Sequence, residues 1–158
     1  MKITLISAMD DNLGIGKDGR LPWHNKEDLQ HFKDYTKYGI CVMGSNTWDS
    51  LPVKPLPFRT NCVVSKDIYA DKHDNSDRVF SSISDCVNYW KNITNELIII
   101  GGASIYKPLL PYAAHMVLTH IHGDYNCDTF FPEFDASEWF AYEWKDIENG
   151  KIHYMERT

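Results

Sequence analysis

The sequence predicts an α/β fold built on a mostly parallel sheet. Short apolar runs with the length of buried strands alternate along the chain with segments whose apolar residues recur at helical spacing. Such alternation is typical of strands joined by helical crossovers, which place neighbouring strands parallel. The C-terminal part differs, because two strand-like runs there flank an Asn-Gly pair. The 158 residues (1–158) are expected to form a single domain, since this length can bury a substantial core.

Five strands and four helices are predicted before the C-terminal segment. Strands are expected at residues 3–9, 40–43, 61–65, 96–100 and 115–121, and helices at residues 25–35, 45–50, 82–92 and 103–109. Asn25 is a suitable N-cap for the first helix. Ile83, Val87 and Trp90 have helical spacing in the third helix, and Pro111 is expected to stop the fourth.

The C-terminal segment predicts a hairpin. Residues 140–146 and 151–157 have strand-like composition on either side of Glu148-Asn149-Gly150, and Asn-Gly favours a tight turn between antiparallel strands. An antiparallel pair is therefore expected at the end of the sheet. Residues 67–77 are polar and poorly periodic, which predicts a surface loop.

Composition and charge exclude several classes of protein. The formal net charge is −6, and lysine and arginine are not clustered, which argues against a nucleic-acid partner. The apolar runs are shorter than a membrane span requires. No small-residue cleavage site follows the N-terminal apolar run, so we interpret that run as a first strand rather than a signal peptide. Four widely spaced cysteines favour reduced thiols and a cytoplasmic protein.

Residues 12–32 combine a glycine-rich loop with a short amphipathic helix. Gly14, Gly16 and Gly19 precede Leu21-Pro22-Trp23, and Asp28 shares a helix face with Phe32. A carboxylate directed into an apolar pocket can accept two parallel N–H bonds from the edge of an amino-pyrimidine. This pattern suggests a binding site for a nitrogen-rich heterocycle beneath a mobile lid.

Simpler interpretations remain open at this point. Asn25 followed by Asp28 resembles a capping box, and an acid in the first helical turn suits the helix dipole. The scattered glycines are equally suited to ordinary turns.

Two further glycine turns each connect a strand to a helix. They are Gly44-Ser45-Asn46-Thr47 and Gly101-Gly102-Ala103-Ser104. Backbone N–H groups at a helix N-terminus attract phosphate, although one such turn alone is weak evidence. Two of them at the same edge of the sheet would suit a pyrophosphate lying between them.

An ordered set of motifs resembles the bacterial dihydrofolate reductases over nearly the whole chain. The motifs are LPW (21–23), Asp28, VMGSNTW (42–48), PLPFR (55–59), IIIGGASIY (98–106), LTHI (118–121) and DTFFP (128–132). The resemblance implies a three-layer α/β fold with a central, mostly parallel sheet of about eight strands. It also implies NADPH-dependent reduction of 7,8-dihydrofolate to tetrahydrofolate, which supports thymidylate synthesis and is inhibited by antifolates.

The resemblance assigns roles around the substrate. Asp28 would hold N3 and the 2-amino group of the pterin with support from the Thr119 hydroxyl, and Arg59 would pair with the α-carboxylate of the glutamate tail. The catalytic residues implied are Asp28, Trp23, Leu21 and Thr119. The substrate-binding residues implied are Ile6, Ala8, Asp28, Leu29, Phe32, Leu56, Arg59, Ile100 and Thr119.

It also assigns residues to the cofactor. In this family hydride passes from nicotinamide C4 to pterin C6, N5 is protonated through water, and the Gly-Gly peptide is cis. The cofactor-binding residues implied are Ala8, Ile15, Gly16, Leu21, Gly44, Ser45, Asn46, Thr47, Ser65, Lys66, Ile100, Gly101, Gly102, Ala103, Ser104, Ile105, Tyr106 and Thr129.

The chain departs from the family at three positions. Ser45 and Ser104 stand where bacterial relatives often carry arginines that bind the phosphates of NADPH, so our hypothesis gives the 2′-phosphate to Ser65 and Lys66. A smaller preference for NADPH over NADH is expected. Phe58 replaces a common glycine before Arg59, which is expected to narrow the glutamate end of the site.

Two alternative functions share these features. One is reduction of a ribosylaminopyrimidine in riboflavin synthesis, whose substrate carries a phosphate instead of a glutamate tail. The other is a protein that binds folate or nucleotide without catalysis. LPW with Asp28, and Arg59 after its proline-rich turn, favour the pterin. The seven histidines lack a metal motif such as HExxH, so no metal is expected, and a monomer is the default.

Overall fold

The computed structural model describes residues 1–66 and 75–158. In chain order its strands are β1 (Lys2–Met9), β2 (Gly14–Gly16), β3 (Ile40–Gly44), β4 (Thr60–Val64), β5 (Arg78–Phe80), β6 (Glu96–Gly101), β7 (His115–Ile121), β8 (Thr129–Phe130), β9 (Trp139–Ile147) and β10 (Gly150–Arg157). The α-helices are α1 (Lys26–Thr36), α2 (Ser45–Ser50), α3 (Ile83–Trp90) and α4 (Ala103–Leu109).

The central sheet has eight strands in the order β5-β4-β3-β6-β1-β7-β10-β9. The first six strands in this order, from β5 through β4, β3, β6 and β1 to β7, are mutually parallel. Strand β10 runs antiparallel to both β7 and β9. The turn between β9 and β10 contains Asn149 at φ +54°. The predicted α/β fold, with a mostly parallel sheet and a C-terminal antiparallel pair, is therefore confirmed.

Successive residues of the central strands face two different helical layers, because side chains alternate across a sheet. On one face Leu5 packs in a cluster that includes Trp90 of α3 and Leu109 of α4. On the other face Ile6 packs in a cluster that Phe32 of α1 joins. Helix α2 covers the neighbouring strands on its side through a buried cluster that contains Trp48. The result is three layers with the sheet in the middle, as expected.

The bounds of α2 and α4 match the predicted ones, whereas those of α1 and α3 differ from them. Asn25 caps α1 as predicted, its side-chain oxygen accepting a hydrogen bond from the backbone N–H of Asp28 at 3.0 Å. Ser82 lies outside α3 and caps it, accepting from the N–H of Asp85 at 3.1 Å, and α3 is shorter than predicted at both ends. Helix α4 ends at Leu109 as predicted, and a 3₁₀ turn, Leu110–Tyr112, that contains Pro111 follows it directly.

Three short strands were missed by the sequence analysis. Strands β2 and β8 form a separate antiparallel pair outside the main sheet, and β5 lies at the edge of the main sheet. Strand β2 is glycine-rich and β8 has only two residues, so neither shows a side-chain period. Of the loop predicted at 67–77, residues 67–74 lie outside the described part of the chain.

No helix within the described ranges is both long enough and apolar enough to cross a membrane.

The buried centre of the sheet predicts a strong effect of truncation. Leu97 on β6 is fully buried, so Leu97→Ala removes apolar contacts and leaves a cavity. We expect a loss of about 2–5 kcal/mol in the free energy of unfolding, measured by urea titration. Ile93→Ala is the matched control, because Ile93 is 61% exposed and should change stability little. A loss at Leu97 no larger than that at Ile93 would contradict this account of the core.

Candidate active site

A buried carboxylate connects α1 to β7. The hydroxyl of Thr119 donates a hydrogen bond to Oδ1 of Asp28 at 2.6 Å, although 91 residues separate the two in sequence. Asp28 is only 9% exposed and Thr119 2%. Both the cap interaction and the predicted pairing are present, since Asn25 binds the backbone of Asp28 while Thr119 binds its carboxylate. The capping interpretation therefore explains why α1 starts where it does, but not why the Asp28 carboxylate points towards Thr119.

The sheet places this pair at the carboxyl ends of its central parallel strands. Thr119 is the register partner of Ala8 on β1, and Ile6 lies opposite Val117. Phe32, one turn after Asp28, packs against the cluster that contains Ile6. Ligands of open α/β sheets bind at this end of the strands.

Burial controls the charge of Asp28. Loss of solvent raises its pKa above the ordinary value of 3.8, and the hydrogen bond from Thr119 and the charge of His31 counteract only part of that rise. His31 is itself half-buried, and burial lowers the pKa of its imidazole. A ligand that donates N–H groups to the Asp28 carboxylate would therefore favour its charged form.

Trp23 contributes a buried donor beside α1. Its indole nitrogen is buried and is one of three such side-chain atoms without a hydrogen-bond partner among the described residues. Its ring packs edge-to-face on Tyr125 with centroids 5.2 Å apart. A buried N–H group of this kind needs an acceptor from a water molecule or a ligand.

The glycine-rich loop is tied to the loop after β7. Gly14 and Gly16 of β2 pair with Phe130 and Thr129 of β8. Ile15 packs against the main core cluster, whereas Leu21 is 45% exposed. The loop therefore has one anchored edge and one open edge, as a lid requires.

Asp10 is a buried acid at the base of the glycine-rich loop that the sequence analysis missed. Its Oδ1 accepts from the backbone N–H groups of Asn12 and Gly14 at 2.9 and 2.8 Å, and Oδ2 accepts from Tyr125 at 3.0 Å. Burial alone would raise the pKa of Asp10, but these hydrogen bonds outweigh it and lower that pKa. The available signal was an acid placed directly after an apolar strand.

The two glycine turns meet at the same edge of the sheet. Gly101 lies beside Met43 in the register of β6 and β3, and its peptide with Gly102 is cis. A Cβ on Gly101 would come within 3.4 Å of the Thr47 hydroxyl, and one on Gly102 within 3.6 Å. A side chain at Gly101 is disfavoured by its φ of +123° and by the Tyr106 hydroxyl, which a Cβ would meet at 3.2 Å, so this turn presents backbone to the Gly44 turn. We call these two turns the backbone cradle.

Neighbouring side chains complete this cradle. The Tyr106 hydroxyl donates to the carbonyl of Ile6 at 2.6 Å, which fixes the start of α4 against β1. Ile105 is buried and approaches the Gly44 turn. Ile100, at the carboxyl end of β6, packs against the clusters on the α1 and α2 side of the sheet. Of the remaining predicted residues, Ser45, Ala103 and Ser65 are half-buried and Asn46, Ser104 and Lys66 are exposed.

The predicted glutamate end is built around Arg59. Its guanidinium donates to the carbonyl of Pro57 at 2.8 Å and to the Thr36 hydroxyl at 3.2 Å. Leu56 is half-buried and Leu29 is 41% exposed, as walls of an open slot would be. Phe58 takes φ +62°, a conformation that favours glycine, and its ring packs on Tyr38, so the expected narrowing stays a prediction.

Comparison with known proteins gives a consistent picture. The family model described as dihydrofolate reductase matches residues 2–157. A dihydrofolate reductase of Bacillus subtilis is 41% identical over 137 residues, covering 87% of this chain and 79% of the relative. That of Neisseria meningitidis is 38% identical over 141 residues, covering 88% and 84%.

A solved structure agrees in fold. Dihydrofolate reductase from Enterococcus faecalis, complexed with NADP(H) and RAB-propyl, is 30% identical with a TM-score of 0.89 and covers 99% of this chain and 96% of its own. The chain therefore belongs to the dihydrofolate reductase family. The resemblance to an oxidoreductase of bacterial type is confirmed.

The burial of Asp28 predicts that replacing it with a neutral residue stabilises the protein at neutral pH. The pKa of Asp28 is raised in the folded protein, so at higher pH its ionisation is less favourable there than in the unfolded chain. Ionisation of Asp28 therefore lowers the free energy of unfolding. Asp28→Asn removes that cost, so at neutral pH the variant should unfold at a higher urea concentration than wild type. The gain should shrink as the pH falls and vanish below 3.8, where the unfolded chain also binds the proton.

The matched control is Asp34→Asn, which changes an exposed acid on the same helix. Its stability should not show this pH-dependent gain. An Asp28→Asn variant that is less stable than wild type at neutral pH would contradict the assignment.

Proposed function

We propose that this protein reduces 7,8-dihydrofolate to 5,6,7,8-tetrahydrofolate with NADPH. The observation that carries the proposal is the buried Asp28–Thr119 pair at 2.6 Å, because few roles other than holding a ligand N–H edge justify a desolvated carboxylate there. The family supports the reaction type. When bound, NADPH would supply the hydride that passes from nicotinamide C4 to pterin C6.

The backbone cradle supports the cofactor. Gly101 takes φ +123°, and a Cβ there would meet the Tyr106 hydroxyl at 3.2 Å, so the turn favours glycine and leaves its peptide groups free to approach a pyrophosphate. NADP(H) is present in the Enterococcus faecalis relative. Gly44, Thr47 and the start of α4 would hold the phosphates, while Ala8, Ile15 and Tyr106 would contact the nicotinamide side.

Asp28 would orient the pterin. Its carboxylate accepts from N3 and the 2-amino group, and its charge polarises the ring towards protonation at N5. Asp28 binds the opposite edge of the ring from N5, so the proton would reach N5 through water. The buried indole N–H of Trp23 is a suitable donor to hold that water. The lid, anchored by Asp10 and β8, would exclude bulk solvent.

Arg59 would fix the other end of the substrate. Its contacts with Pro57 and Thr36 hold the guanidinium in place before a ligand arrives, which lowers the entropy cost of binding a carboxylate. Phe32, Leu29 and Leu56 would line the slot for the aminobenzoyl ring between the two charged ends. Antifolates with a 2,4-diaminopyrimidine ring would bind at Asp28 in the pterin position.

The state of the cysteines supports the proposed cellular location. Three of its four free cysteines are buried, and burial raises the pKa of Cys62 to about 11, so these thiols stay protonated and unreactive. This supports a cytoplasmic location. The monomeric state, the single domain and the lack of a nucleic-acid partner stay predictions.

The central experiment follows NADPH absorbance with and without dihydrofolate in wild type and Asp28→Asn. We expect dihydrofolate-dependent turnover that falls sharply in the variant. Methotrexate should bind the variant less tightly by about 1.5–3 kcal/mol, the value of a hydrogen bond to a charged group. Asp34→Asn is the control and should change neither quantity.

Equal methotrexate affinity in wild type and Asp28→Asn would contradict the role of Asp28. No turnover with dihydrofolate, but turnover with a ribosylaminopyrimidine phosphate, would replace the proposal with the riboflavin-pathway reaction. No turnover with either substrate would leave a binding protein.

Cofactor selection depends on Lys66 in our proposal. With Ser45 and Ser104 neutral, Lys66 supplies the charge for the 2′-phosphate, so Lys66→Ala should raise the KM for NADPH by roughly fivefold, as for loss of about 1 kcal/mol. The KM for NADH, which lacks that phosphate, should not change. Lys91→Ala is the control because Lys91 is an exposed lysine after α3. An unchanged KM for NADPH in Lys66→Ala would exclude the assignment.

A further inference from the structure

Three potential metal ligands meet where β1 and β7 end side by side. His120 is on β7, and His122 follows directly after the end of that strand at Ile121. Met9, at the end of β1, is the register partner of His120, and Asp11 follows two residues later. The backbone N–H of Asp11 donates to the carbonyl of Gly123 at 3.0 Å, which keeps the two chain segments together.

The ligand atoms of these side chains converge. One nitrogen or oxygen atom from each of Asp11, His120 and His122 lies within 4.8 Å of the others. His120 Nε2 and Asp11 Oδ1 are 2.5 Å apart, and the two imidazole rings are 5.1 Å apart at 74°. The cluster faces away from the pterin site, because Thr119, between Leu118 and His120, directs its hydroxyl to Asp28 on the other side of the sheet.

We propose that Asp11, His120 and His122 bind a divalent transition-metal ion, with Zn²⁺ as the best match. Two imidazoles and one carboxylate form a known Zn²⁺ ligand set, and water completes the tetrahedron. At Zn–ligand distances of about 2.0–2.2 Å, tetrahedral ligand atoms lie about 3.3–3.6 Å apart. Separations within 4.8 Å reach this geometry through small side-chain rotations, which partial exposure permits.

The proton between His120 and Asp11 is the competitor for this ion. A hydrogen bond at 2.5 Å between an imidazole nitrogen and a carboxylate oxygen requires a proton on one of them. The metal ion takes that position and releases the proton, so the ligands gain a stronger charge partner. Lys151 is the register partner of His120 on β10 and brings positive charge to this face, although its ammonium lies 3.7 Å from Asp146. We therefore expect moderate, micromolar affinity.

The sequence analysis expected no metal because it looked for ligand spacing along the chain. His120-x-His122 is visible in the sequence, but Asp11 joins it only through the pairing of β1 with β7. Asp11 also begins the loop that carries Gly14 and Gly16, so a bound ion would cross-link the base of the lid to the segment after β7. The site is independent of the proposed reaction.

The test titrates Zn²⁺ into tag-free protein against a chromophoric chelator. We expect one ion per chain and a rise in melting temperature on Zn²⁺ addition. His122→Asn and Asp11→Asn should each weaken binding by at least about tenfold, the lower end of what loss even of an outer-shell partner costs a metal site. Asp11→Asn retains an oxygen that can accept from His120, so a fold defect is not expected to mimic the result.

Two controls separate this site from others on the chain. His24→Asn removes an exposed histidine outside the cluster and should leave Zn²⁺ affinity unchanged. Cys127→Ser removes the half-buried thiol near the same loop and should also leave it unchanged. Absence of Zn²⁺ binding, equal affinity in wild type and both cluster variants, or loss of binding only in Cys127→Ser would overturn the proposal.

Discussion

The burial of one carboxylate between a helix and the sheet organises this protein. Asp28 can remain in its pocket only because Thr119 donates to it at 2.6 Å and because Asn25 fixes the helix turn that carries it. Its raised pKa measures the cost of removing it from water. Such a cost is retained where a ligand compensates for it, which is why the proposed substrate site lies at this carboxylate.

A different requirement governs the proposed phosphate side of the cleft, where two glycine turns present backbone. A Cβ added at Gly101 would meet the Tyr106 hydroxyl at 3.2 Å on a backbone with φ +123°, and one added at Gly44 would meet Ile105 at 3.2 Å, so both positions favour glycine. The bond from Tyr106 to the carbonyl of Ile6 ties this backbone cradle to β1, the strand that also reaches the pterin pair. A single strand thereby links both halves of the proposed site.

Strand β1 also controls the lid from its carboxyl end. The two residues after Met9 make different contacts. Asp10 is buried and accepts a hydrogen bond from the backbone of the glycine-rich loop, whereas Asp11 is exposed and shares a hydrogen bond with His120. The inner acid holds the loop to Tyr125, and the outer one is available to the proposed metal ion.

The sequence by itself determined the α/β class, most elements of the main sheet, the C-terminal hairpin, the Asn25 cap and the family, because periodicity, caps and Asn-Gly are local signals. It could not decide whether the Asp28 carboxylate points into the protein, since an acid three residues after the cap residue Asn25 suits both helix capping and ligand binding. It also missed the β2–β8 pair, whose strands lie more than 100 residues apart, and the contact of Asp10 with Tyr125, which spans 115 residues. Only the tertiary structure decided these, because they depend on which strand ends become neighbours, and chain spacing does not contain that information.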